Sequence, residues 1–230
     1  MARRSDSRDA LNDSARLVSD EESLCQHAAE LASRGSPFDR LLAVNGTPPL
    51  WRRPPTFATL VRLILEQQVS LASATAAYSR LNDRVGSVTP AAVLASSDEQ
   101  LRTDGFSRQK ARYVRLAASA IEGGEFHLPN PSTGRDDALG ALRSLTGVGP
   151  WTAACYLLFV CGDPDVWPSG DRALVVSMTR VLGLGSVPAT EVADAIASQW
   201  SPHRSTAARM LWHDYLGGTS YRAFPNAGFA

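Results

Sequence analysis

From about Glu21 onward the apolar positions recur at helical spacing. Phe57, Leu60, Val61, Ile64 and Leu65 fall at i, i+3, i+4, i+7 and i+8, the stripe that one face of an α-helix gathers, while Arg62 and Glu66 fall on the other side. This spacing predicts an amphipathic helix whose start is marked by Pro54-Pro55. Similar patterns predict helices at about 71–84, 107–122, 134–145, 150–161, 171–183, 189–199 and 202–216. No alternating strand pattern of comparable length competes with them, so the expected fold class is all-α, without an internal repeat.

Individual segments refine the picture. In 107–122, Ala111, Val114, Ala118 and Ile121 make the apolar stripe, and Arg108, Arg112 and Arg115 line the opposite side. Trp151 to Val160 is apolar on nearly all sides, which predicts a central helix surrounded by others. Ser201-Pro202 offers a side-chain acceptor at a helix cap and a proline at the first helical position, and Gly149-Pro150 offers a similar start. The opening Arg, Asp, Ser and Asn residues lack periodicity, which predicts a disordered tail over 1–18, a helical core over 19–217 and a C-terminal tail over 218–230.

With 230 residues, 44% of them hydrophobic, the chain buries a core without covalent staples. Cys25, Cys155 and Cys161 are odd in number and lack paired metal spacing, which argues against a disulfide framework or an iron-sulfur cluster and suits a reducing cytoplasm. No apolar stretch approaches the roughly 18 residues of a membrane span, and no signal core opens the chain. The formal net charge is zero, so any affinity for nucleic acid has to come from a local basic face. All but one of the 23 basic residues are arginine; Lys110 is the one lysine.

Two stretches carry candidate chemistry. Leu145-Thr-Gly-Val-Gly-Pro-Trp-Thr-Ala153 places a Gly-x-Gly turn between two predicted helices. Glycines turn the chain sharply and leave backbone N–H groups bare, so a phosphate can approach the positive end of the next helix, with Val148 pointing into the core as an anchor. Taken alone the pattern serves equally as a plain helix-helix turn. About twenty residues on, Val166-Trp-Pro-Ser-Gly-Asp171 leads into an apolar helix, where the dipole favours a negative group. A helix-start residue without chemistry has the same pattern. Asp163 and Asp165 read as a turn whose carboxylates bond their own backbone, and Glu66 is a more distant candidate acid.

The longer strings are more specific. The Leu145–Ala153 hairpin, Ile64-Leu-Glu-Gln-Gln-Val-Ser70, and Trp200-Ser-Pro-His-Arg-Ser205 with Trp212 downstream resemble, in this order, segments of the helix-hairpin-helix DNA glycosylases, in particular their alkylated-base branch. The resemblance spans about residues 37–217. It implies a helical core of two lobes with the cleft between them. The implied partner is double-stranded DNA containing damaged bases, and the implied activity is base-excision repair. The N-glycosidic bond of 3-methyladenine- or 7-methylguanine-type bases is hydrolysed to leave an abasic site.

The same resemblance assigns roles. The backbone of Thr146, Gly147 and Gly149 would hold a DNA phosphate, with a monovalent cation shared by the loop carbonyls; neither another cofactor nor a catalytic metal is implied. Asp171 would be the catalytic carboxylate, stabilising positive charge on the sugar or orienting the water. Gln67 or Gln68 would fill the gap left by the extruded nucleotide, Gln68 being the better placed; capping or bridging two helices is the lesser alternative for the pair. Trp151 and Trp212 would line the base pocket, where aromatic faces attract cationic bases. Strand-cutting members attack the sugar with a lysine late in the hairpin, where this chain has Trp151, so the expectation is a monofunctional enzyme; a monomer is also expected.

Three departures bear on this reading. Thr146 replaces the common proline, Cys155 stands where relatives carry an aromatic, and only about 36 residues precede the matched region, so the N-terminal β-rich domain of those relatives is expected to be absent. Two alternatives stay open: a glycosylase of the same superfamily for other damaged or mismatched bases, and a non-catalytic helix-hairpin-helix module that binds DNA.

Overall fold

A computed structural model describes residues 17–33 and 36–218. Among them are twelve α-helices and no strand, in agreement with the helical periodicity. No helix among the described residues is long and apolar enough to cross a membrane. Most of both expected tails lies outside the described residues. Val18, placed by the sequence at the end of the first tail, is instead buried, and its N–H donates to the carbonyl of Gly162 at 2.8 Å.

The chain divides into two compact units, the first formed by the segments up to Arg52 and from Gly162 onward, the second by Arg53–Cys161. In the first unit, α1 (Glu21–Ala32) and α2 (Phe38–Asn45) pack on each other and on α12 (Arg204–Tyr215), which also packs on α10 (Arg172–Val181). Helix α11 (Thr190–Ser198) belongs to the same unit. Leu24, Phe38, Leu174, Met178, Ala207, Ala208 and Leu211 form its core.

The second unit holds α3 (Phe57–Glu66), α4 (Leu71–Val85), α5 (Pro90–Ala95), α6 (Asp98–Thr103), α7 (Arg108–Glu122), α8 (Arg135–Ser144) and α9 (Pro150–Tyr156). Helix α9 runs on as a π-helical turn over Leu157–Cys161. Helix α3 is central, packing on α4, α7 and α9. Thr152 to Cys161 are all buried, as the apolar run predicts, and Val148 is buried at the hairpin tip.

Several elements differ from the sequence reading for physical reasons. Helix α3 is not amphipathic in the folded unit: Leu63 and Arg62 are buried as well. Its polar side is covered because Arg62 stacks over the Tyr78 ring at 5.1 Å, and Glu66 pairs with Arg53 at 2.8 Å and with Arg62 at 3.8 Å. Burial is tolerated where charges are paired. Helix α12 begins at Arg204, two residues later than Ser201-Pro202 suggests, because the Ser201 hydroxyl donates to Asp165 Oδ2 at 2.9 Å instead of capping. Gly149 and Pro150 do start α9.

Helices α5 and α6 have six residues each, too short for an apolar stripe. Their caps were nonetheless written in the sequence. Thr89 caps α5 ahead of Pro90, and Ser97 with Gln100 closes a capping box on α6.

Candidate functional site

In the first unit, Asp171 is the N-cap of α10, and its Oδ1 accepts the Leu174 N–H at 3.0 Å. The same oxygen accepts the indole Nε1–H of Trp212, on α12, at 3.2 Å. Cap and indole together fix the plane of the carboxylate beside the positive end of the helix. Helices α10 and α12 are pinned further along, where Ser177 Oγ donates to Asp214 Oδ2 at 2.6 Å and Arg180 pairs with the same carboxylate. Asp171 and Trp212, 41 residues apart in sequence, are thus brought into direct contact.

The loop leading to Asp171 is held from both sides. The Arg204 guanidinium donates to Asp165 Oδ1 at 2.8 Å and Oδ2 at 3.0 Å, Ser201 donates to the same carboxylate, and Ser205 Oγ accepts the Val166 N–H at 3.0 Å. Trp200 packs edge-on against Trp167, with ring centroids 5.6 Å apart. The Trp200–Ser205 motif is therefore a clasp over the approach to Asp171. Opposite it, Asp194 of α11 accepts the Trp167 indole N–H at 3.0 Å and the Ser169 hydroxyl at 2.7 Å. Asp163 bonds its own turn, accepting the Asp165 N–H at 2.8 Å as the sequence suggests, whereas Asp165 turns to Arg204. Burial works to raise the Asp165 carboxyl, but the hydrogen bonds of Arg204 and Ser201 prevail and hold it below the usual carboxylate range.

In the second unit the hairpin and the glutamine turn meet. Thr146 and Gly149 are exposed on the Leu145–Pro150 hairpin, and Gly147 has a φ of +91°. Gln67 caps the end of α3, and its Nε2 donates to the Gly147 carbonyl and to Thr152 Oγ1, both at 2.9 Å. The glutamine pair is thereby divided: Gln67 braces the hairpin, while Gln68 is exposed in the left-handed region, φ +56°. Val69 and Leu71 beside it are also exposed. The Lys110 ammonium, on α7, donates to the carbonyls of Leu65 and Gln67 at 2.7 and 2.8 Å. Burial pulls its pKa down from the ordinary lysine value.

Trp151 is half-buried in the first turn of α9, and Cys155, one turn on, is wholly buried in the core. The arginine row of α7 is split. Arg108 and Arg112 are exposed, but Arg115 pairs with Asp98 at 3.1 Å and donates to the Ser96 carbonyl. No group of three or more His, Cys, Asp or Glu is gathered for a metal ion among the described residues.

The sequence reading missed Tyr113, Thr152 and Asp194. Tyr113 lies against Gly147 so closely that an added Cβ would sit 2.2 Å from its ring. No local signal marks these partners, because each contact joins residues more than 20 positions apart.

The all-helical fold thus carries a Gly-x-Gly hairpin, an aspartate that caps the helix beyond it and an indole bonded to that aspartate. Residues 61–203, more than half of the chain, match the family described as HhH-GPD superfamily base excision DNA repair protein, and the chain belongs to it. The Bacillus subtilis protein YfjP is 30% identical over 162 residues, 66% of this chain, and the match spans little more than half of that relative, 56%. The alkylbase DNA glycosidase-like protein mag2 of Schizosaccharomyces pombe is 26% identical over 66% of this chain and 75% of its own. Among solved structures, the fold is similar to the fission-yeast 3-methyladenine DNA glycosylase Mag1 in complex with abasic DNA, with a TM-score of 0.72 at 22% identity over 82% of this chain and 95% of that one.

Two predictions concern the framework. Asp165→Asn is expected to lower stability by about 1–2 kcal/mol at neutral pH, the value of a charge-assisted pair discounted for partial exposure. Because the folded-state pKa is depressed, this contribution is present above the ordinary value of 3.8 and is lost as pH falls through the folded one. Urea midpoints of parent and variant should therefore converge toward acid; a constant gap would contradict the assignment. Gly147→Ala should cost about 2–4 kcal/mol through the Tyr113 clash and the positive φ. Gly149→Ala, where an added Cβ meets open space, should cost under about 1 kcal/mol, as denaturant unfolding can check.

Proposed function

We propose that the protein is a DNA glycosylase that hydrolyses the N-glycosidic bond of alkylated bases and leaves an abasic site. The observation that carries this reading is the Asp171 carboxylate, capping α10 and held by Trp212, in a chain of the HhH-GPD superfamily. The alkylbase and 3-methyladenine names of its relatives favour that substrate class.

Breaking the bond between sugar and base sends the electron pair to the base nitrogen and builds positive charge at the anomeric carbon. A carboxylate oriented by two hydrogen bonds stabilises that charge without reorganising, and it can accept a proton from the water that adds to the sugar. Trp212 offers an aromatic surface to the extruded base. Trp151 is assigned the same task, since electron-poor methylated bases are drawn to aromatic faces.

The second unit grips and opens the duplex. The exposed backbone of Thr146 and Gly149, with Gly147 between them, holds a phosphate, and a monovalent cation is shared there by loop carbonyls. Such contacts position the enzyme without reading sequence. Gln68 enters the base stack. Its exposed, left-handed position and its exposed apolar neighbours Val69 and Leu71 support this role, and the bracing bonds of Gln67 argue against Gln67 as the plug. The expected partner is double-stranded DNA with a damaged base, bound by a monomer.

The test is excision from duplexes carrying one 3-methyladenine or 7-methylguanine. Asp171→Asn should lose at least about a hundredfold in excision while binding an abasic-analogue duplex with little change, because the hairpin is untouched. Full excision by this variant would falsify the catalytic assignment. A second outcome follows from the lysine count. Lys110 donates to two backbone carbonyls, so borohydride should trap no covalent protein–DNA adduct, and product strands should stay whole until treated with base or heat.

A further inference from the structure

We infer that Lys110 is a positioning residue for base extrusion: it holds the Gln67–Gln68 turn in the conformation that presents Gln68 as a preformed wedge. The inference rests on the assignment of Gln68 above.

Helix α3 stops at Glu66 and the chain passes through Gln67 at ψ 123° into Gln68 at φ +56°. Gln68 and Trp51 are the two non-glycine residues with positive φ among those described. A side chain held there is strained, and such a conformation persists only where its surroundings over-determine it. The carbonyls of Leu65 and Gln67, which flank the bend, point at the end of a helix and lack intrahelical donors. The Lys110 ammonium donates to both, and its partners are these two carbonyls rather than a carboxylate. Desolvating a cation is costly, as its lowered pKa reflects, and two carbonyl dipoles offset that cost only while the turn keeps this shape.

Other groups tie the same turn to the hairpin. Tyr113, one turn further along α7, lies against Gly147, and Gln67 donates to the Gly147 carbonyl. The first turns of α7 therefore support both the phosphate grip and the inserted tip. Removing the ammonium leaves the Gln67–Gly147 bond and the Tyr113 contact in place. It should loosen the tip and spare the grip.

The experiment compares Lys110→Met, Lys110→Arg, Gln68→Ala and the double variant Lys110→Met/Gln68→Ala. Each is titrated with an undamaged duplex and with the same duplex carrying a tetrahydrofuran abasic analogue opposite 2-aminopurine, whose fluorescence reports disturbance of the stack. Lys110→Met should bind undamaged duplex as the parent does, but should bind the abasic duplex about tenfold more weakly and lose most of the fluorescence change. Lys110→Arg, which keeps a cation with donors, should recover much of both. In the Gln68→Ala background, Lys110→Met should add no further loss, because its effect passes through Gln68. If Lys110→Met fails to fold, Lys110→Gln, neutral and shorter but still a donor, carries the same comparison.

Losses that multiply in the double variant, or a Lys110→Met protein that keeps the abasic preference and the fluorescence change while Gln68→Ala loses them, would overturn the positioning role. Should Gln68→Ala itself keep both, the wedge assignment fails first and this inference with it.

Discussion

A helix that ends at a working turn leaves its last carbonyls without partners, and in the second unit the ammonium of Lys110 meets that need at the end of α3. Much of the local geometry depends on this bond. Beside it, the Gln67 side chain makes its own bonds to the Gly147 carbonyl and Thr152, and the glutamine turn and hairpin form one connected piece. The buried Arg53–Glu66 pair secures the same helix end from another direction. A cluster of charges inside a largely apolar unit is thus concentrated where the backbone has to stop, bend and present a polar tip.

The first unit solves a related problem with a carboxylate. Asp171 needs a fixed orientation, yet it follows a loop containing Gly170 at φ +78°. The loop is made rigid by its neighbours: Asp165 clasped by Arg204 and Ser201, Val166 by Ser205, Trp167 and Ser169 by Asp194. The Trp200–Ser205 motif is built into this scaffold, holding Asp165, Val166 and Trp167. Its polar side chains satisfy buried groups that would otherwise destabilise the approach to the carboxylate. In the proposed reaction, preorganisation of this kind would let a single carboxylate stabilise developing charge without being reoriented.

Lysine usage gains meaning from this arrangement. A chain with 22 arginines and one lysine places that lysine against two carbonyls, a geometry in which a compact ammonium with three donors fits better than a planar guanidinium. Residue counting leaves Schiff-base chemistry one side-chain candidate, and in the fold that lysine donates to two backbone carbonyls.

Local patterns in the sequence by themselves determined the helical class, the central burial of Thr152–Cys161, the hairpin with Val148 turned inward, and Asp171 at the head of a helix, because spacing, caps and glycines act over a few residues. They also carried the signals for α5 and α6, which the capping residues state and an apolar stripe six residues long cannot. Only the tertiary structure decided the rest. It buried the charged side of α3, moved the start of α12 to Arg204, split the α7 arginines, bonded Gln67 to the hairpin while leaving Gln68 exposed, and set Trp212 on Asp171. Each of these depends on partners 13 to 85 positions away, as with Glu66 bonded to Arg53 and Gln67 to Thr152. The energy of a polar group is set by what meets it in space, and no periodicity along the chain encodes that meeting.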